Sequence, residues 1–150
     1  MSQLTSRPIV HFAGSIAQFA FELIVDTGYS AMSMRCLARK LGVQPGSIYH
    51  HFQSKEDVFE QVIDALLRRR LAGWLGVKPQ RADAISAMRS FVEFHVHHQL
   101  SFGRHDQLLM AEVRHLDQAR RDKVLAIDAQ YLNELRNIIS QGAESKVFNV

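Results

Sequence analysis

Between Ser33 and Asp57 the chain carries four helix start or stop signals, and this punctuation constrains the fold more than any other feature. Ser33 suits a helix N-cap, because its hydroxyl can accept a hydrogen bond from a backbone N–H of the first turn. Leu37, Ala38 and Leu41 follow at helical spacing, and Gly42 breaks the run. Pro45 restarts it, since a missing N–H costs nothing at the first helical position. Ser54-Lys-Glu-Asp57 has the spacing of a capping box, and the apolar positions 58, 59, 62, 63, 66 and 67 behind it form one inner face. The spacing therefore predicts one helix from Ser33 to Leu41, another from Gln44-Pro45 to near Phe52, and a third from Ser54 to about Leu71.

The remainder reads in the same period. The only prolines stand at positions 8, 45 and 79, and no clear alternating strand segment lies between them, so the fold class is all-α. After Pro8, apolar residues at 9, 12, 16, 19, 20, 23 and 24 make a helical stripe that Asp26-Thr-Gly28 ends. Ala72–Arg81, with its two glycines, Pro79 and Trp74, reads as a hinge. Helices are expected at about 83–99, 105–116 and 120–141. If the last of these stands exposed, Leu125, Ile127, Leu132, Leu135, Ile138 and Ile139 make an unusually large apolar surface.

Charge narrows the class of partner. Residues 1–55 hold five cations (Arg7, Arg35, Arg39, Lys40, Lys55) against Glu22 and Asp26, so the net charge of +3 sits in the first third of the chain. Localised positive charge is what a phosphate-binding surface needs. Cys36 stands alone and cannot form an internal disulfide, which fits a reducing compartment. The opening Met1–Pro8 lacks the apolar core of a signal peptide. Phe19–Val25 is broken by Glu22 and too short to span a bilayer. A cytoplasmic protein without membrane association is expected.

Two short helices around a tight glycine turn, held by helices before and after, make a helix-turn-helix. A B-form major groove admits one helix, whose exposed early residues reach base edges while the preceding helix braces against the backbone. Gln44, Gly46, Ser47, Tyr49, His50 and His51 surround the early turns of the second helix, and Gly46 removes bulk where the bases would come closest. The run from Ser33 to Phe52 with Ser54-Lys-Glu-Asp57, preceded by Gly28-Tyr29-Ser30, resembles the signature of the tetracycline-repressor (TetR) family over about residues 8–68.

The resemblance implies a role for each matching position. Ser33 would bind phosphate through its hydroxyl and the nearby N–H groups, and Arg35 would read a base, as Arg pairs well with guanine O6 and N7. Gln44, Gly46 and Ser47 would face the groove floor, with Pro45 setting the helix start. Tyr49 and His51 would clamp phosphates beside His50, and Lys55 would close the contact from the next helix. Ile48 and Phe52 read as core anchors. Tyr49 has a second reading as cover for that core, Ser33 as an N-cap alone, and Arg39 and Lys40 as a solvated face.

In this family the second half forms an effector pocket and pairs two subunits. Met88, Phe91, Val92, His95, Leu108, Leu109, Val113 and Tyr131 offer an apolar set for the pocket, and the same residues can equally be inter-helix core. Leu108–Leu116, Arg120, Val124 and Tyr131 look similar to TetR-family regulators of lipid and acyl-CoA breakdown. That likeness implies a small apolar or acyl-CoA-like effector, with Arg114, His115 and Arg120 near a phosphate or thioester unless they are ordinary surface charge. Of His95, His97, His98 and His105, only the 95/98 pair has ligand spacing on one helix and no cysteine lies near, so neither a metal nor a cofactor is expected. No nucleophile motif, phosphate loop or carboxylate pair argues for an enzyme.

The expected organisation is a helix-turn-helix domain over 8–68 and a helical effector-binding and dimerisation domain over 82–150. Family members usually run longer, and this second domain would be incomplete, lacking the last dimer helices. The expected function is a ligand-responsive regulator, most simply a repressor of a palindromic double-stranded DNA operator, homodimeric as in the family. The alternative is a shortened helical protein that heterodimerises with full-length relatives.

Overall fold

The structure is a computed structural model that describes residues 15–149. The stretch after Pro8, including Ile9 and Phe12, lies outside the described residues. The described residues are helical without strands: α1 (Ser15–Thr27), α2 (Met34–Leu41), α3 (Pro45–Tyr49), α4 (Lys55–Val77), α5 (Ala84–Glu112), a 3-10 turn (Val113–His115) and α6 (Gln118–Glu144). The chain divides into two compact units, one ending at Val62 and one beginning at Ile63.

In the first unit each helix contributes apolar side chains to one core: Ala17, Ala20 and Ile24, then Leu37 and Ala38, then Ile48, then Val58, Phe59 and Val62. The capping box at the start of α4 forms as its spacing requires. Ser54 Oγ accepts the Asp57 N–H at 3.1 Å, and Asp57 Oδ2 accepts the N–H groups of Ser54 and Gln53, each at 3.0 Å.

The second unit is built on aromatic packing. Trp74, Phe91, Tyr131, Ala87 and Ile138 are buried together, with Met88, Phe94, Leu135 and Phe148 against them. Trp74 meets Phe91 edge-on at 4.9 Å between ring centroids, and Phe91 stacks with Tyr131 at 5.2 Å, both favourable quadrupole arrangements. Beside this cluster lies a layer of charge. Asp106 on α5 accepts from Arg69 of α4 at 3.2 Å and sits 2.8 Å from His98 Nε2, with His98 and Asp106 both buried. Arg70 pairs with Asp128 of α6, and its guanidinium lies 4.5 Å from the centroid of the Tyr131 ring. Burial depresses the pKa of the Arg69 guanidinium, and Asp106 opposes that shift.

Three departures from the sequence expectation have physical causes. Helix α4 continues through Gly73 and Gly76 to Val77 because Trp74 is fully buried there, so the connection shrinks to residues 78–83. Helix α5 is unbroken where the spacing predicted a gap between 99 and 105. Gly103 is buried within it, and a Cβ there would stand 2.4 Å from the Gln99 side-chain oxygen. Along α6, Ile127 and Ile138 are buried and Leu135 packs on the aromatic cluster, so of the expected apolar surface only Leu125 and Leu132 are well exposed.

Asp83 and Asp117 cap α5 and α6, accepting the N–H groups of Ser86 and Arg120. Those bonds hold both carboxyls below their ordinary value. After α6 the chain turns through Lys146 (φ 57°), and the Val147 and Phe148 N–H groups donate to Gly142 O. The Phe148 ring occupies the space a Cβ on Gly142 would fill, 1.9 Å away. Among the described residues no helix is long and apolar enough to cross a membrane.

Removing one partner from a buried charge pair leaves the other uncompensated. Asp106→Ala strips Arg69 and His98 of their shared acceptor and is expected to cost about 3 kcal/mol in urea unfolding of the full chain. A loss under about 1 kcal/mol would show that water replaces the carboxylate without penalty.

Candidate nucleic-acid interface

Helix α2 starts where its cap requires. Ser33 is extended (φ −135°, ψ 157°), and its hydroxyl accepts the Cys36 N–H at 3.1 Å. The helix ends at Gly42, whose φ of +69° is left-handed. The Gly42 N–H donates to Arg39 O at 3.2 Å and the Val43 N–H to Ala38 O at 3.0 Å, satisfying the last carbonyls of α2. Nothing lies within 4 Å of where a Gly42 Cβ would stand, so the backbone conformation alone demands glycine here.

The reversed chain enters α3 at Gln44, which makes no side-chain cap, with Pro45 in the first turn. Ile48 is fully buried and holds α3 to the core. Gln44, Gly46, Ser47, Tyr49, His50 and His51 are consequently exposed, and Tyr49 at 51% exposure stands outside the core. Pro45 and Phe52 are half-buried. Arg35 is exposed on α2 and makes no hydrogen bond or ion pair with any described residue.

The other cations among the described residues of this unit are tethered. Lys40 pairs with Glu22 of α1 at 3.4 Å, and Arg39 donates to Cys36 Sγ at 3.4 Å. The Cys36 thiol is held below its ordinary value, chiefly by its hydrogen bond with Ser33 and further by Arg39. The Lys55 ammonium donates to the carbonyls of Tyr29 and Met32, each at 3.4 Å, and lies 4.2 Å from the centroid of the Tyr29 ring. Its charge therefore sits beside the turn that delivers Ser33. Tyr29, which the sequence pattern left without a role, is buried, packs on Phe59 at 4.7 Å and donates its hydroxyl to Glu56 at 3.0 Å. A second overlooked signal is purely electrostatic. No acidic residue occurs between Asp26 and Glu56, so the whole helix-turn-helix offers phosphates no like charge.

The apolar set of the second unit is only partly assembled. Phe91, Tyr131 and Met88 belong to the Trp74 cluster, and His95 Nδ1 lies 3.1 Å from the Tyr131 hydroxyl. Leu109 and Val113 are buried, while Val92 and Leu108 are exposed. Arg114 is exposed, His115 lies 3.2 Å from Glu112, and Arg120 pairs with Asp117 in the cap of α6. His97 is exposed, and among the described residues no three His, Cys, Asp or Glu side chains gather as a metal site. A cavity of about 300 Å³ lies elsewhere in this unit, walled by Lys78, Arg81 and Glu134, and none of the expected pocket residues lines it.

A short outward-facing helix behind a braced first helix, on a surface without acids, defines a helix-turn-helix protein of the DNA-binding class. Residues 16–62 match the family model of bacterial regulatory proteins, tetR family, and residues 81–150 match the tetracyclin repressor-like C-terminal domain. The chain belongs to the TetR family of bacterial transcriptional regulators.

Among its relatives is the fatty acid metabolism regulator protein of Bacillus subtilis, 25% identical over 134 residues that cover 87% of this chain and 67% of that one. The transcriptional repressor KstR2 of Mycolicibacterium smegmatis is 40% identical over 48 residues, covering 32% of this chain and 23% of that protein. Against this second relative the chain thus spans well under two thirds of the length. The TetR-family regulator PfmR from Thermus thermophilus superimposes with a TM-score of 0.79 at 28% identity, covering 91% of this chain and 75% of PfmR.

A non-glycine residue in the left-handed region costs about 1–2 kcal/mol. Gly42→Ala is expected to lower stability by about that amount, read as a reduced denaturant midpoint, because no neighbour obstructs the new methyl group. An unchanged midpoint would mean that the turn relaxes to negative φ.

Proposed function

We propose that this chain is a ligand-responsive repressor that lays α3 in the DNA major groove and releases its operator when a small molecule occupies the second unit. The observation that carries the DNA reading is the outward row on α3, opposite buried Ile48, on a helix-turn-helix free of carboxylates. The proposed domains are 8–68 for DNA and 82–150 for effector and subunit pairing.

On DNA, Arg35 reads a base edge from α2, tethered to none of the described residues. Gln44, Gly46 and Ser47 approach the groove floor, with Pro45 setting the helix entry. Ser33, Tyr49, His50, His51 and Lys55 contact the backbone and fix register. The name of the repressor KstR2 favours repression, and a regulator of fatty acid metabolism among the relatives is in keeping with the apolar or acyl-CoA-like effector proposed here. Met88, Phe91, Val92, His95, Leu109, Val113 and Tyr131 are the residues proposed to face it. Such an effector acts only through its preference for the conformation that does not fit DNA. Two copies on a palindromic operator, in the cytoplasm, complete the reading.

The test is selection of fragments bound by the purified full chain from the source genome, followed by footprinting. Enrichment of a palindrome with half-sites about one helical turn or more apart is expected. Arg35→Ala should then cost about 1–3 kcal/mol on the selected site and relax preference at one position. Lys55→Ala should weaken all duplexes alike and reduce the salt slope by about one. No enrichment, or equal losses for Arg35→Ala on cognate and random duplex, would sink the DNA reading or the Arg35 role respectively.

A further inference from the structure

The cavity of about 300 Å³ lies at the C-terminal turn of α4, where the connection to α5 passes α6. We propose that it binds a compact organic carboxylate carrying a hydrogen-bond donor, at a site separate from the apolar residues assigned to the effector.

Charge and size both point to this class. Lys78 and Arg81 bring two cations to the rim, and Glu134 is the one carboxylate among the lining residues. Glu134 Oε2 is already committed, accepting from Lys78 Nζ at 2.6 Å and Trp74 Nε1 at 3.0 Å. Burial pushes the Glu134 carboxyl up, but the bonds from Lys78 and Trp74 outweigh it, and the group stays charged below its ordinary value. Lys78 is thereby neutralised. Arg81 is exposed and pairs with no described residue, which leaves one uncompensated positive charge for an anion. Arginine presents a planar fork of donors that matches a carboxylate. Glu134 Oε1 has no described partner and can accept from a hydroxyl or ammonium on the same molecule. The amides of Asn137 and Gln141 add polar contacts, and Ile138 supplies an apolar floor. A volume at the bottom of the usual range for small-molecule sites fits such a compound and not a coenzyme A thioester.

Trp74 is the chain's one tryptophan and lines the cavity, so its emission reports occupancy. The full chain is titrated at constant ionic strength with citrate, with tricarballylate (citrate without its hydroxyl) and with inorganic phosphate. Citrate is expected to give a saturable change at a concentration of about 1 mM or lower. Tricarballylate should bind several-fold more weakly. Arg81→Ala should weaken citrate about tenfold, while Arg104→Ala, an exposed arginine away from the cavity, should not. No saturable response to either carboxylate, a response to phosphate alone, or equal midpoints in Arg81→Ala would overturn the site. Equal midpoints for citrate and tricarballylate would overturn the donor assignment. The measurement contains no DNA, so it succeeds or fails independently of the repressor reading.

Discussion

A helix of five residues has no stability of its own, and α3 exists only because Ile48 is buried. Nucleating a helix fixes several dihedral angles for a single hydrogen bond, a cost that short helices in water do not recover. Three local devices lower that cost here. Pro45 presets one φ angle, Gly42 delivers the chain at the right direction, and Ile48 O accepts both the His51 and Phe52 N–H groups at 2.9 and 3.0 Å. With its inner face occupied by Ile48 and Pro45 half-buried at its start, Gly46, Ser47 and Tyr49 face outward. The capping box and the Tyr29 anchor serve the same end, holding α4 and the α1–α2 turn as the walls against which Ile48 packs.

The second unit solves a different problem, that of three long helices free to rotate against one another. Neighbouring residues on a helix point about 100° apart. Arg69 reaches Asp106 on α5 while Arg70 reaches Asp128 on α6, so the two pairs together fix the rotation of α4 about its axis. Partly buried pairs of this kind add little net stability, since desolvation offsets the attraction. Here the Nε atoms of both arginines remain buried without a partner, a further cost. Apolar residues of similar size would hold the helices together as well and would specify their rotation less sharply. The aromatic cluster supplies cohesion, and the charge layer supplies register.

What the sequence made legible is what depends on local chemistry. The cap at Ser33, the turn at Gly42, the start at Pro45 and the box at Ser54 each act within one helical turn, and each appears where its residues stand. What stayed hidden depends on contacts distant in sequence. Gly73 and Gly76 stand in the expected hinge yet lie within α4, because Trp74 between them is drawn into a core with Phe91, Tyr131 and Ile138. The pairing of Arg69 with Asp106 and of Arg70 with Asp128 leaves no mark in the local pattern, because it joins residues 37 and 58 positions apart. The cavity beside Arg81 was illegible for the same reason: its walls come from α4, the connection, the start of α5 and α6.

Gly46 presses the functional reading further than any charged residue does. Glycine inside a helix costs about 1 kcal/mol relative to alanine, and α3 is the helix least able to bear it. Of the other helix-associated glycines, Gly42 has a left-handed φ, and a Cβ at Gly73, Gly103 or Gly142 would press on Phe94, Gln99 or Phe148, while Gly76 near the end of α4 has open space around it as Gly46 does. Gly46 has no positive φ, and a Cβ there would meet nothing within 4 Å. The fold gives no ground for preferring it over alanine. A missing side chain on the outward face of an exposed helix is useful where another molecule's surface must approach the backbone, and the floor of a DNA groove is such a surface.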